Sequence, residues 1–147
     1  HDCLGTGIKA YQVTFGNPDF AFIAGRVKFV CLNTNAIEYD YSQPVPNFDF
    51  IKAEWTNRAD EFDRSVVCMH APPFSEQFNN NVAEPFNDYI HKLPQLMFCL
   101  DGHGHHIRIQ DLYEDGTIFY MAASAKERKY YIFTITPDDY SYEIIDF

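Results

Sequence analysis

The sequence predicts a mixed α/β (α+β) fold in a single domain that spans residues 1–147. Two observations support this prediction. In the first two thirds of the chain, short apolar runs alternate with segments of helical periodicity, as in strand–helix–strand units. In the last third, polar and apolar residues alternate in several runs that turn residues separate, which is typical of a β meander.

The first third of the chain predicts two strands between loops. Residues 3–18 are rich in glycine and predict a loop. Residues 20–24 and 27–33 predict two strands, joined by a tight turn at Gly25-Arg26. Residues 38–48 contain two prolines and several aromatic side chains, so they predict a second loop.

The middle of the chain predicts two helices and two buried strands. Asp49 is the predicted N-cap of a helix that runs to about Asp63, because apolar residues recur at helical spacing after it. These residues are Ile51, Trp55, Ala59 and Phe62. The remaining predictions here are a strand at 66–69, a loop at 71–81, a helix at 82–92 that Pro94 terminates, and a strand at 96–100.

The last third predicts an antiparallel sheet. Its alternating runs cover residues 106–113, 117–122, 129–136 and 140–145. Turn residues separate the first two runs at 114–116 and the last two at 137–139.

Composition excludes several classes of partner. The formal net charge is −10, which argues against nucleic acid and against a polybasic membrane contact, because both need Lys/Arg surfaces. No apolar run is long enough to span a membrane. Three of the four cysteines, Cys31, Cys68 and Cys99, lie inside apolar runs, where free cysteine packs as a small hydrophobe. We therefore expect a reducing compartment and a cytoplasmic location, while export stays open.

Histidines follow two of the predicted strands and are the candidate metal ligands. His70 follows the strand at 66–69, and the turn Gly102-His103-Gly104-His105 follows the strand at 96–100. Imidazole is the commonest protein ligand for transition metals. Because His103 and His105 are two residues apart, an extended chain would point both rings the same way. The alternative interpretation is a glycine-rich turn with solvated imidazoles.

These residues carry a family resemblance. Cys68-Met69-His70-Ala71-Pro72-Pro73, followed about thirty residues later by Gly102-His103-Gly104-His105, resembles the last two motifs of the calcineurin-like metallophosphoesterases. The opening pair His1-Asp2 resembles the end of the family's GNHD motif. The resemblance covers essentially the whole chain and implies the C-terminal half of a four-layer α/β/β/α sandwich.

The resemblance also implies a chemistry. In the family, two divalent metal ions (Mn, Fe or Zn) share a hydroxide that attacks phosphorus. His70 and His103 are expected to bind one metal and His105 the other. His1 is expected to be the catalytic imidazole beside the leaving group, and Asp2 is expected to orient it. The implied substrate is a small phosphoester or a phosphoprotein.

The chain has no counterpart of the family's upstream Asp-x-His, GDxxD and GN segments, which precede His1 in the family pattern. We therefore expect the missing N-terminal half of the domain, or a second copy of the chain, as a partner. Two alternatives stay open. One is a catalytically incomplete fragment or interaction module on the same fold, and the other is a mononuclear zinc hydrolase that uses His70, His103 and His105.

Several further residues have two interpretations. Asp101 either accepts a hydrogen bond from a ligand histidine or is a turn carboxylate. Phe74, Phe78 and residues 79–81 either line a substrate pocket or form a solvated loop. Arg108 is able to pair with phosphate, but the sequence does not place it near the histidines.

Overall fold

The computed structural model describes residues 7–36 and 45–147. These residues form a mixed α/β fold with one six-stranded sheet, one two-stranded sheet and three α-helices. The helices are α1 (Gly7–Phe15), α2 (Phe48–Glu54) and α3 (Ala83–Ile90). The strands of the large sheet are β1 (Phe20–Ala24), β2 (Val27–Leu32), β3 (Arg64–Met69), β4 (Leu96–Asp101), β5 (Arg108–Asp111) and β6 (Ile118–Met121). The small sheet contains β7 (Lys129–Ile135) and β8 (Tyr140–Asp146).

The large sheet has the strand order β1-β2-β3-β4-β6-β5. Strands β2, β3, β4 and β6 are parallel, and β1 and β5 are antiparallel at the two edges. The register pairs Leu32 with Met69, Cys68 with Leu100, and Asp101 with Met121. The carboxyl ends of the four parallel strands therefore meet at one edge of the sheet, which is where parallel α/β sheets place their binding sites.

Two hydrophobic clusters hold the fold together, one on each face of the large sheet. On one face, α2 and α3 bury Ile51, Phe86 and Ile90 against Val30 and Val67. On the other face, Phe133 and Tyr140 of the β7–β8 hairpin pack on Phe98 of β4 and on Tyr120 of β6. Cys99 is fully buried and Cys31 and Cys68 are half-buried, and all three are free thiols.

The strands β1 to β4 and the helix α3 confirm the sequence predictions to within a few residues. The loop that we predicted over residues 3–18 is wrong for Gly7–Phe15, which form α1. The glycine that suggested a loop is instead the helix stop: Gly16 has a φ of +91° and its N–H donates to the Gln12 carbonyl at 3.0 Å. Helices commonly end at a glycine with positive φ.

The helix α2 is shorter than predicted, and its N-cap is Asn47 rather than Asp49. The Asn47 side chain accepts from the Phe50 N–H at 3.1 Å. The helix ends at Glu54 instead of Asp63: Arg58 has a φ of +57°, which a continuing helix does not allow, and buried Lys28 donates to the free Glu54 carbonyl at 3.0 Å. The spacing of apolar residues in the helix does not reveal a contact with a lysine on β2.

The C-terminal third is not a single antiparallel sheet. Strand β6 pairs in parallel with β4 and joins the large sheet, and β5 pairs with β6 at the edge. Only β7 and β8 form a separate antiparallel pair among the described residues. Within these same residues, no helix combines the length and the apolar composition that crossing a bilayer requires.

Candidate functional site

His70 and His103 lie side by side at the carboxyl ends of β3 and β4. Their ring centroids are 5.5 Å apart and the rings are nearly perpendicular, at 82°. The two loops are joined directly, because the Gly102 N–H donates to the His70 carbonyl at 3.0 Å. On the other side, the Ala71 N–H donates to Oγ1 of buried Thr34, which follows β2. The parallel arrangement of neighbouring strands therefore brings together two histidines that are 33 residues apart in sequence.

Both glycines of the Gly102-His103-Gly104-His105 turn are packed where a side chain would meet a neighbour. A Cβ on Gly102 would lie 3.3 Å from Nδ1 of His70. A Cβ on Gly104 would lie 2.4 Å from Sδ of Met121. The glycines therefore serve mainly to let the turn approach β3 and β6 closely.

The expected extended geometry of His103 and His105 is wrong. Both residues have positive φ, +67° and +62°, so the chain turns at each of them instead of continuing as a strand. His103 turns inward and its side chain is only 14% exposed, whereas His105 is exposed. The Nε2 atom of His103 lies 2.8 Å from Oε1 of Glu76.

The Glu76 carboxylate is a site residue that sequence analysis missed. It comes from the loop after β3, 27 residues before His103, and no local pattern marks it. The contact with His103 holds the pKa of the exposed Glu76 carboxyl below its usual range. His70, His103 and Glu76 thus form the core of the candidate site.

Asp101 is the last residue of β4 and lies directly before the turn. With Gly102 and His103 it forms an Asp-x-His triplet. Its side chain is buried, and its Oδ1 atom has no hydrogen-bond partner among the described residues. Burial raises the pKa of Asp101 to about 7, and the positive charge of Arg108 opposes part of that rise. Asp101 is therefore a buried strand residue, and a hydrogen bond from a ligand histidine to its side chain stays a prediction.

A cavity of about 480 Å³ opens beside His103. Pro73, Phe74 and Glu76 line one side, and Arg108 and Gln110 of β5 line another. Arg108 reaches the site because β5 pairs with β6, which is adjacent to β4. The sequence does not reveal this strand order, so it could not place Arg108 near the histidines. Phe78, by contrast, is buried against Phe86 and contributes to the core.

A larger cavity, of about 710 Å³, lies at the opposite end of the strands, between β2 and the β7–β8 hairpin. Its charged residues pair with each other: Arg26 and Arg64 both contact Asp63, at 2.7 and 2.9 Å. It has no histidine in its lining. Its chemistry therefore offers less than the smaller cavity beside His103.

The candidate site contains side chains of the types that bind metals. Two adjacent imidazoles, a carboxylate in contact with one of them and a buried carboxylate oxygen without a partner suit a divalent transition metal. Within 7–36 and 45–147, no three His, Cys, Asp or Glu side chains are close enough to form a metal-binding group. The expected catalytic residues His1 and Asp2 lie outside the described residues.

Two other histidines have local partners. Nε2 of His91 lies 2.8 Å from Oγ1 of Thr117, and Nδ1 of His106 lies 2.6 Å from the Gly104 carbonyl.

No protein-family model and no curated protein matches this chain.

Proposed function

We propose that this chain belongs to a metal-dependent phosphoester hydrolase and supplies part of its active site. The observation that carries the proposal is the convergence of His70 and His103 at the carboxyl ends of two neighbouring parallel strands. In the proposed site these two imidazoles would hold one divalent metal (Mn, Fe or Zn), and His105 would hold a second. Such metals would supply a nucleophilic hydroxide and stabilisation of charge on the phosphoryl oxygens.

The chain's own residues prepare this site. Glu76 contacts Nε2 of His103, so it fixes the orientation of the ring. Gly102 leaves the space in which the His70 ring lies against the turn. His1 donates the proton to the leaving oxygen and Asp2 orients His1, as the sequence resemblance implies. The substrate is a small phosphoester or a phosphoprotein.

The proposed architecture is the C-terminal half of a four-layer α/β/β/α sandwich. Helices cover one face of the large sheet, and β7–β8 begins a second β layer on the other face. This second layer leaves Phe20 and Phe22 of β1 more than 40% exposed. An N-terminal half of the same domain, or a second copy of this chain, would bury them. A mass measurement by light scattering distinguishes a monomer from a self-associated chain.

Metal content and hydrolysis together test the function. Tag-free protein is loaded with Mn²⁺ or Zn²⁺, desalted and analysed for metals per chain, and hydrolysis of an aryl phosphate is followed in parallel. His103→Ala is expected to lose both metal and hydrolysis, because two protein ligands become one. His91→Ala is the matched control, since this histidine bonds Thr117 away from the site, and it is expected to retain both.

The stoichiometry separates the proposal from its alternatives. About two metals per chain support the two-metal site. About one zinc, with hydrolysis, favours the mononuclear site of His70, His103 and His105. No bound metal in the wild-type chain would contradict both, and metal without hydrolysis would mean that the chain supplies only part of the active site.

A specific observation favours an interaction module as the second candidate function. The helix α1 has no buried residue, and Val13 and Phe15 are 89% and 74% exposed. A helix with large exposed apolar side chains is more typical of a protein contact than of a solvated surface. Val13→Ser with Phe15→Ser would weaken binding to a partner and leave hydrolysis unchanged.

The free thiols Cys31, Cys68 and Cys99 fit the cytoplasmic location that we propose.

A further inference from the structure

The cavity beside His103 has an aromatic wall whose conformation is strained. Phe74 has a φ of +69°, a region that bulky L-residues rarely occupy. The residue is 53% exposed instead of buried. A strained residue that is also exposed gains little from the core, and such residues concentrate at functional sites.

Asn80 holds this conformation in place. Its Oδ1 accepts from the Phe74 N–H at 2.8 Å, and its Nδ2 donates to the Ser75 carbonyl at 2.9 Å. The Phe74 ring also leans on Tyr113, with centroids 5.1 Å apart. The aromatic face is therefore fixed before any ligand arrives, which reduces the entropy cost of binding.

Arg108 is the cation of the same cavity. Within residues 7–36 and 45–147 it forms no ion pair and donates no hydrogen bond, unlike Arg26 and Arg64 at the other end of the sheet. The carboxylate that lines the same cavity, Glu76, contacts His103 and not Arg108. An arginine without an ion pair or hydrogen bond among the described residues is suited to a phosphoryl group, which it can bind through two N–H donors.

We infer that this cavity binds phosphoesters whose organic group is a flat aromatic or heterocyclic ring, with the ring against Phe74 and the phosphoryl group between Arg108 and His103. The inference rests on the proposed phosphoesterase function and adds the substrate class to it. An aryl phosphate, a nucleotide and a phosphotyrosine side chain share this chemistry. A serine or threonine phosphate lacks the ring.

The test compares the binding of phenyl phosphate and cyclohexyl phosphate, because these ligands match in charge and ring size and only the first has a flat ring. Binding is measured by calorimetry, once with EDTA and once with Zn²⁺. The wild-type chain is expected to bind phenyl phosphate about fivefold more tightly than cyclohexyl phosphate, the size of an aromatic pair contact. Phe74→Leu is expected to remove this preference, and Phe74→Tyr is expected to retain it.

Two controls separate the site from general effects. Phe20→Leu changes another exposed aromatic residue, on β1, and is expected to leave the preference intact. Arg108→Gln is expected to weaken both ligands about tenfold, since a charge-assisted bond is lost, whereas Arg26→Gln is expected to weaken neither. Adenosine monophosphate and O-phosphotyrosine, compared with O-phosphoserine, then distinguish a nucleotide from a phosphoprotein source.

The inference is overturned if the wild-type chain binds both ligands equally, binds neither, or keeps its preference in Phe74→Leu. It fails separately from the proposed function. A ring preference without metal or hydrolysis would sustain the binding site and remove the enzyme, and hydrolysis without a ring preference would do the reverse.

Discussion

Two buried charged residues lie at opposite ends of the parallel strands, and they differ in the number of polar partners around them. Lys28, near the start of β2, is 1% exposed and is surrounded by partners. Asp101, at the end of β4, is 6% exposed and has one carboxylate oxygen without a hydrogen bond among the described residues. The contrast separates an end of the sheet that is built for stability from the end at which we propose binding.

The partners of Lys28 come from the segment that follows α2. Its Nζ lies 2.9 Å from Oε2 of Glu54 and 3.0 Å from the Glu54 carbonyl, and it also contacts the Asn57 carbonyl. The ring of Phe62 lies 4.1 Å from the same ammonium group. Polar and aromatic groups therefore replace the water that the buried ammonium loses.

Asp101 has no comparable shell. Burial raises the pKa of Asp101 to about 7, and the positive charge of Arg108 opposes only part of that rise. A buried carboxylate that lacks partners destabilises the fold, and proteins tolerate this mainly where the group has a task. We propose that Asp101 has such a task at the carboxyl end of β4.

The largest effect is expected for Lys28→Met, which removes the charge and leaves Glu54 buried without its counterion. Breaking a buried pair on one side costs about 3–5 kcal/mol of unfolding free energy. Urea titration monitored by tryptophan fluorescence measures this loss. The double variant Lys28→Met with Glu54→Leu is expected to recover most of it, because neither charge remains. A loss below about 1 kcal/mol in the single variant would mean that the pair contributes little.

Asp101→Asn is expected to have the opposite sign, and its effect depends on pH. In the unfolded chain an Asp carboxyl ionises near pH 3.9. Between about pH 4 and 7 the folded chain therefore holds more protons at Asp101 than the unfolded chain does, and wild-type stability falls as pH rises. Asparagine cannot ionise, so the variant escapes this loss.

The gain of Asp101→Asn over the wild type should be near zero at pH 4 and should grow to at most about 4 kcal/mol at pH 8. Unfolding is measured in EDTA so that metal does not contribute. Asp138→Asn, in the exposed turn between β7 and β8, is the control and should show no such trend. A gain of equal size at both pH values would refute the titration of Asp101 as its cause.

The same contrast explains what the sequence could predict. The strands β2, β3 and β4 are apolar runs of the right length, and parallel pairing then places His70 and His103 together. Arg108 and Glu76 reach the site through strand order and loop path, which leave no mark on neighbouring residues. The contact of Lys28 with the Glu54 carbonyl at the end of α2 was equally hidden, because the two residues lie 26 positions apart. Other predictions failed locally, because positive φ at His103 and His105 turned a segment that we expected to be extended.

The smallest change in stability is expected at the strained residue of the binding end. Phe74→Gly relieves a left-handed conformation that costs a non-glycine residue about 1–2 kcal/mol, and glycine's extra freedom in the unfolded chain offsets about 0.5–1 kcal/mol of that gain. With the loss of the Tyr113 contact, the free energy of unfolding should change by less than about 1 kcal/mol, while the preference for phenyl phosphate disappears. Phe78→Gly, four residues along the chain and buried against Phe86, should cost more than about 3 kcal/mol in the same urea titration. If Phe74→Gly were as costly as Phe78→Gly, Phe74 would be a structural residue, and the distinction between a stable end and a binding end would not hold for this loop.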